Sequence, residues 1–305
     1  MKSLIKYLMM PTLLFSLITA CEKPKNVSIN GSEYEVSGDN ITQTKSSFLE
    51  DGVIKIGVVS DIEGAIENAR NSAERLKKQN VDAVIIAGDV YENEGIRRNP
   101  VYPNSTDNLQ EMFDGIEPYA QLNVPIFVIS GNHEKRDIYD KGIKNLKEKY
   151  PNVFDINGKT VDLKEFNIVG MGGYHDPRFI TRDGFLLKDS DYKKAFESLS
   201  KFQSQDIREP TVFVTHGPPR SRTRIDYVKG FGHVGDNKTK RIMNSELEGI
   251  INLHGHIHEG GGNSDKGNSS GISVNVASIT DFIRNGANTG LLTIKNSRVG
   301  YQELK

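Results

Sequence analysis

The chain has 305 residues, 36% of them apolar and 26% charged, enough for one sizeable domain that buries roughly three quarters of its unfolded surface. Thirty-nine basic residues against 40 acidic ones give a formal charge of -1, which excludes a global field drawing the protein to nucleic acid. Any polyanionic partner needs a local basic patch. With Cys21 the only cysteine, disulfides and thiolate zinc sites are excluded as well.

Residues 1–20 carry Lys2 and Lys6, then the apolar stretch Leu8 to Ala20, and read as an export signal too short to span a bilayer. Ile18-Thr19-Ala20-Cys21 resembles a bacterial lipobox, so the expectation is cleavage before Cys21, acylation of its thiol, and a lipid anchor in the bacterial cell envelope, at the inner or outer membrane. Cleavage removes two lysines and no acids, taking the formal charge from -1 to -3. Residues 21–52 are mainly polar and read as a flexible tether reaching roughly 100 Å when extended, with a small hairpin across Asn30-Gly31. The folded domain is expected over residues 53–305.

From Val53 the pattern alternates. Val53 to Val59 reads as a strand; Ile66, Ala69, Ala73 and Leu76 then repeat at helical spacing, and Val81 opens the next strand, so the start is a βαβ unit with parallel neighbours. A long polar excursion, Tyr91 to Asp107, precedes a helix ending near Leu122. Val153 to Ile156 and Thr160 to Leu163 flank Asn157-Gly158, a hairpin signal, and Phe166 to Val169 is a further strand. Gly271 to Ala277, Leu291 to Ile294 and Arg298 to Gln302 read as closing strands, after a glycine- and serine-rich loop from Gly260 to Gly271 that reads as mobile. Two sheets with helices outside is the economical architecture.

Five apolar strands end directly in polar segments: Asp61-Ile62-Glu63, Gly88-Asp89, Gly131-Asn132-His133-Glu134, Thr215-His216-Gly217 and Gly255-His256-Ile257-His258. Strand carboxyl ends converge on one crevice in an open α/β sheet. Carboxylates, an amide and imidazoles brought together there, without a thiol, are the donor set of a hard to borderline divalent metal. His254 shares the spacing of the following pair. Glu134 is either an orienting carboxylate or an ordinary helix-start acid.

This ordered set resembles the calcineurin-like metallophosphoesterases, whose pattern runs Asp-x-His, Gly-Asp, Gly-Asn-His-Asp/Glu, a lone His and Gly-His-x-His, here from about Val53 to the C-terminus. The resemblance implies an α/β fold, a four-layer αββα sandwich with two mixed β-sheets flanked by helices. It also implies hydrolysis of phosphomonoesters or phosphodiesters by attack of a metal-bridging hydroxide. Position by position, Asp89 would bridge two divalent ions, Asp61 and His258 would bind the first, and Asn132, His216 and His256 the second. His133 would be the catalytic histidine that is not a ligand. Glu63 stands where the family has a histidine, and the expectation is that it still ligates. Its added negative charge favours manganese or iron, with magnesium or zinc behind them. Arg220 and Arg222 are candidates for holding a second phosphate or an anionic substrate tail. The competing reading is a binding or scaffold module of the same fold that has lost the first metal site. The expected partners are a phosphate-ester substrate and the membrane through lipidated Cys21, not nucleic acid.

Overall fold

A computed structural model of the chain describes residues 24–47, 52–92, 108–205, 209–266, 271–276, 289–296 and 298–304. Residues 1–20, expected to be an export signal, and Cys21 lie outside them, and so do residues 93–107 of the long excursion. Three strands open the described chain: β1 (Lys25–Ile29), β2 (Ser32–Ser37) and β3 (Asn40–Lys45). Next come β4 (Ile54–Val59), α1 (Ile66–Gln79), β5 (Ala83–Ile86), α2 (Asn108–Ala120), β6 (Ile126–Val128), α3 (Arg136–Lys149) and β7 (Val153–Asp155). The second half contains β8 (Thr160–Asp162), β9 (Asn167–Met171), α4 (Asp189–Gln203), β10 (Thr211–Thr215), β11 (Tyr227–Val228), β12 (Gly232–His233), α5 (Asn237–Met243) and β13 (Ile250–His254). β14 (Ser264–Lys266), β15 (Ile272–Asn275), β16 (Thr289–Lys295) and β17 (Arg298–Leu304) complete it.

Two large sheets result. One has six strands in the order β17-β16-β4-β5-β6-β7, the other nine in the order β1-β2-β3-β8-β9-β10-β13-β15-β14. β4, β5, β6 and β7 run parallel, as the βαβ pattern predicts, and β9, β10, β13 and β15 form the parallel centre of the second sheet. The period-2 rule then sorts the side chains. Ile54, Ile56 and Val58 from β4, Phe127 from β6, Val212 and Val214 from β10, and Ile251 and Leu253 from β13 meet in one core between the sheets. The opposite face of the six-stranded sheet packs on α1, α2 and α3, and that of the nine-stranded sheet on α4 and α5. This is the expected layering of two mixed sheets with helices outside.

The tether expected over residues 21–52 is corrected for residues 25–45. Ile29, Tyr34 and Ile41 are buried in the intersheet core with Val36 packed against it, while Glu33, Glu35, Asn40 and Thr42 face outward, so a segment of polar average composition carries an inward face at every second position. β3 pairs parallel with β8 and ties these strands to the domain. The expected turn at Asn30-Gly31 is present, with φ of 46° and 84° suiting a type I′ hairpin.

The hairpin expected at Asn157-Gly158 is also corrected. β7 lies in the six-stranded sheet and β8 in the nine-stranded one, so this turn carries the chain across the core. Both flanks are apolar because both enter the intersheet core, and the side chain of Asn157 accepts from the Ser130 N–H beyond β6, at 2.9 Å, while Gly158 N–H donates to Gly170 of β9 at 3.0 Å. The turn is thus pinned to both sheets. Within the glycine-rich loop, Ser264–Lys266 is ordered as β14 against β15, which corrects its reading as wholly loop; residues 267–270 lie outside the described set.

Candidate metal centre

The strand-end segments meet where the parallel strands of both sheets end. Asp61, Glu63, Asp89 and His256 all have positive φ, at 52°, 43°, 52° and 68°. The other non-glycine residues with positive φ among the described ones are Asn or Asp, which, like histidine, tolerate that region; glutamate does not do so readily. Strain kept at Glu63 marks a position where side-chain direction outweighs backbone comfort. The loops are laced to each other, with Asp61 N–H donating to Gly88 at 3.0 Å, Glu63 N–H to Asp89 at 3.0 Å and Gly255 N–H to His216 at 2.9 Å. Two glycines mark close approaches between these loops. A Cβ on Gly131 would lie 2.0 Å from Oδ1 of Asp89, and one on Gly255 would lie 2.3 Å from Oδ2 of Asp61.

One group of donors comprises Asp89, His216 and His256, whose ligand atoms lie within 4.8 Å of one another. Nδ1 of His216 faces the Ala87 carbonyl at 2.9 Å and acts as its donor, which turns Nε2 toward two oxygens, Oδ1 of Asn132 at 2.8 Å and Oδ2 of Asp89 at 3.1 Å. Asn132 is fixed in that orientation because its amide N–H donates to the Phe179 carbonyl at 2.8 Å. Three acceptors converging in a fully buried place call for a cation or a proton. Without a metal the proton answers: burial opposes it, but the Asp89 carboxylate outweighs burial and lifts the His216 imidazole to about 10. His256, against the Tyr174 ring with centroids 4.1 Å apart, is instead pushed down to about 3 by burial and stays neutral, as a ligand must be.

A second group comprises Asp61, Glu63 and His258. Glu63 Oε1 lies 3.3 Å from Nε2 of His258, and Asp61 Oδ1 lies 3.6 Å from it. Glu63 therefore faces inward, toward the place a histidine would take. Burial opposes protonation of His258, yet the Asp61 and Glu63 carboxylates raise it to about 11. Both donor groups combine carboxylate and imidazole with no thiol, and each presents more acceptors than donors, so they fit two divalent cations.

His133 stands between the groups, with Asp89 of the first on one side and Glu63 of the second on the other. Asp89 accepts the His133 backbone N–H on Oδ1 at 2.9 Å, and Oδ2 faces the His216 ring on one side and Nε2 of His133, 3.8 Å away, on the other. Burial opposes ionisation of Asp89, but His133 and His216 hold its carboxyl far below the ordinary range. Nδ1 of His133 is buried, 3.8 Å from Glu63 Oε1 and without a hydrogen bond. Burial works against its protonation as well, and Asp89 and Glu63 overcome this to raise it.

Behind this layer the structure settles Glu134 as an orienting carboxylate. Fully buried, it accepts the Val90 N–H at 2.6 Å and the Gly131 N–H at 2.7 Å, and so clamps the residue after Asp89 to the residue before Asn132. Burial and the nearby Asp89 raise its carboxyl to about 7. Glutamine offers one acceptor to these two donors, so Glu134→Gln should lower stability by about 3 kcal/mol in denaturant unfolding without added metal. An unchanged midpoint would mean that the clamp carries no energy.

His254 is fully buried, with Nε2 unpartnered, and burial pushes it down to about 3 from an ordinary 6.5. Because the unfolded chain takes up this proton first, its contribution is fully present above pH 6.5 and is lost as pH falls from there toward 3. From about pH 7.5 to pH 5 the loss is about 2 kcal/mol. His254→Phe should abolish that part of the pH dependence, while the other histidines contribute equally to both proteins. Parallel stability curves for the two would contradict the assignment.

Tyr91 packs rather than facing solvent, its hydroxyl accepting the Lys135 N–H at 2.6 Å. Tyr174 was not singled out in the sequence, although Gly172-Gly173-Tyr174 follows β9 in the same way that the ligand segments follow their strands. His175 is half-buried beside it, and His233 pairs through Nδ1 with the buried Asp226 at 2.7 Å. Arg220 and Arg222 are brought together with Lys240 and Lys266 around a separate cavity.

Among solved structures, a dimetal phosphatase from Danio rerio is 12% identical over 83% of this chain and 96% of its own, with a TM-score of 0.60. A Thermus thermophilus protein is 11% identical over 83% of this chain and 100% of its own, with a TM-score of 0.58. At such identities the likeness concerns the fold. No curated protein matches the chain. The model of the calcineurin-like phosphoesterase family matches residues 54–260, which include every donor described above. With that match over two thirds of its length, on a fold of the same layering, the chain belongs to the calcineurin-like phosphoesterase family.

Proposed function

We propose that the protein is a two-metal phosphohydrolase acting on phosphomonoesters or phosphodiesters. The observation that carries this reading is a run of three overlapping donor groups: Asp89 belongs both to the group of His216 and His256 and to one with Glu63 and His133, and Glu63 in turn belongs to the group of Asp61 and His258. Asp61, Glu63 and His258 would hold one divalent ion and Asn132, His216 and His256 the other, with Asp89 common to both. Such a pair, when bound, supplies Lewis acidity toward the phosphoryl oxygens and an activated water. The chain contributes the rest. Asp89 is held ionised, Asn132 and His216 are locked in orientation by Phe179 and Ala87, and His133 presents a ring nitrogen that can carry a proton to the leaving oxygen.

Elemental analysis of the purified protein, with hydrolysis of aryl phosphate monoesters and diesters in added manganese, tests the proposal. Two ions per chain with turnover supports it; at most one ion and no turnover with any metal favours a binding module of the same fold. The extra charge of Glu63 should tilt the first site toward manganese or iron. Glu63→His should therefore raise the zinc share at competitive loading, and identical loading of both proteins would reject the idea.

We further propose export and a lipid anchor at Cys21, on the strength of the charged, apolar and small-residue order before it. None of the helices among the described residues is long and apolar enough to cross a membrane. Incorporation of labelled fatty acid, abolished in Cys21→Ser, would support the anchor, and label retained in that variant would refute it.

A further inference from the structure

A cavity of about 260 Å³ lies under α4, and one of about 560 Å³ lies along α3, each lined by residues of both charges. The third, of about 240 Å³, differs in its charge: Arg220, Arg222, Lys240 and Lys266 contribute four cations, and Asp265 is the one carboxylate. That carboxylate accepts the Ser221 hydroxyl and keeps its charge, so the lining carries an excess of three positive charges. Arg220 donates to the His233 carbonyl, a neutral group, and none of the four cations pairs with a carboxylate among the described residues. Cations that face one space repel each other, and the single carboxylate offsets only one of the four.

The walls are built rather than incidental. Arg220 and Arg222 stand on the turn after β10, which is tied down by Arg220 N–H to the Asp236 carbonyl at 2.9 Å and Ser221 N–H to the buried Asp226 carboxylate at 3.0 Å. Lys240 comes from α5, whose start is capped by Asp236, and Lys266 from β14. Ser273 of β15 closes the floor. One turn, a helix and a strand thus carry charge of one sign to one place. Arginine forks and a lysine point charge suit a tetrahedral oxyanion with two or more negative charges.

We propose that this cavity is a phosphoryl-binding site distinct from the metal centre. It adjoins the centre along the chain, because Arg220 follows His216 by four residues and Ser273 pairs with Asn252, four residues before His256. At strand rise that offset is roughly 13 Å. The oxyanion is either free inorganic phosphate or a second phosphoryl group of the substrate, set off from the scissile one by a spacer of sugar or nucleoside size. The second source rests on the phosphohydrolase reading; the site itself does not.

The test uses the full metal-loaded protein and the double variant Arg222→Ala with Lys266→Ala, two exposed side chains whose removal should leave the melting temperature unchanged. Titration calorimetry with inorganic phosphate at fixed ionic strength should show one more binding event per chain in the wild type than in the variant. Equal stoichiometry and affinity in the two would overturn the proposal. Steady-state kinetics on two aryl phosphates, one bearing a second phosphoryl on a spacer of about 10 Å, then separate the sources. An advantage of tenfold or more in kcat/KM for the bisphosphate, lost in the variant through KM with kcat intact, assigns the site to substrate. No advantage, with the extra phosphate still bound, assigns it to the free ion. If the variant loses phosphate binding while neither protein hydrolyses any ester, the cavity stands and the hydrolase reading falls.

Discussion

If the protein is the two-metal phosphohydrolase proposed above, replacing Asp89 by asparagine should leave it with at most one bound ion and lower kcat by about a thousandfold, the equivalent of several kcal/mol of lost charge stabilisation. The side chain is nearly the same size, and asparagine can still accept the His133 N–H through Oδ1. What is lost is the negative charge that faces His216 at 3.1 Å and His133 at 3.8 Å. Since Asp89 is the chief influence lifting His216 above its ordinary value, the variant's His216 should titrate much lower when metal is absent. Without metal, removing one partner of this buried pair should also cost about 3 kcal/mol of stability. Elemental analysis, steady-state kinetics and unfolding with a chelator present measure the three effects. A variant that keeps both ions and near-normal kcat would show that Asp89 does not join the two donor groups.

How much of this could be read from the sequence differs between fold and site. The central strands were legible because Val, Ile and Ala runs buried on both faces leave no other reading, and the donors were legible because each ends such a run. β1 to β3 were not, since only one face of each is buried and the outward Lys, Glu, Asn and Thr dominate the average; the alternation Tyr34-x-Val36 was the available signal. Asn157-Gly158 misled because a turn between two sheets has the same chemistry as a turn within one. The clamp by Glu134 could not be derived from spacing. Its meaning depends on Val90, 44 residues earlier, presenting a free N–H at the right place. Glu63 was visible as a departure from the family pattern, but that it faces His258 follows from its positive φ, which no propensity predicts for glutamate.

His133→Ala should separate proton transfer from metal binding. Asp89 meets His133 through two different contacts. The backbone N–H bond at 2.9 Å survives truncation to alanine, so the turn that carries Asn132 should hold its place. The ring makes no hydrogen bond at either nitrogen short enough to fix a ligand, standing 3.8 Å from both Asp89 and Glu63, and its side chain is 17% exposed, where the fully buried His216 has no access to solvent. A ring so placed can meet a leaving oxygen without giving up a structural partner. Metal content and melting temperature should therefore stay unchanged while kcat falls 10²- to 10⁴-fold, the usual range for a lost general acid. The loss should be greater for alkyl esters, whose leaving oxygen needs a proton, than for nitrophenyl esters, whose leaving oxygen does not. Because the carboxylates of Asp89 and Glu63 raise His133, it is protonated below its raised value, and activity should decline on the alkaline side as that proton is lost. The alanine variant should lack this decline. Equal losses for both ester classes together with a drop in bound metal would instead make His133 a ligand, joined to Glu63 and Asp89 in a third donor group whose atoms also lie within 4.8 Å.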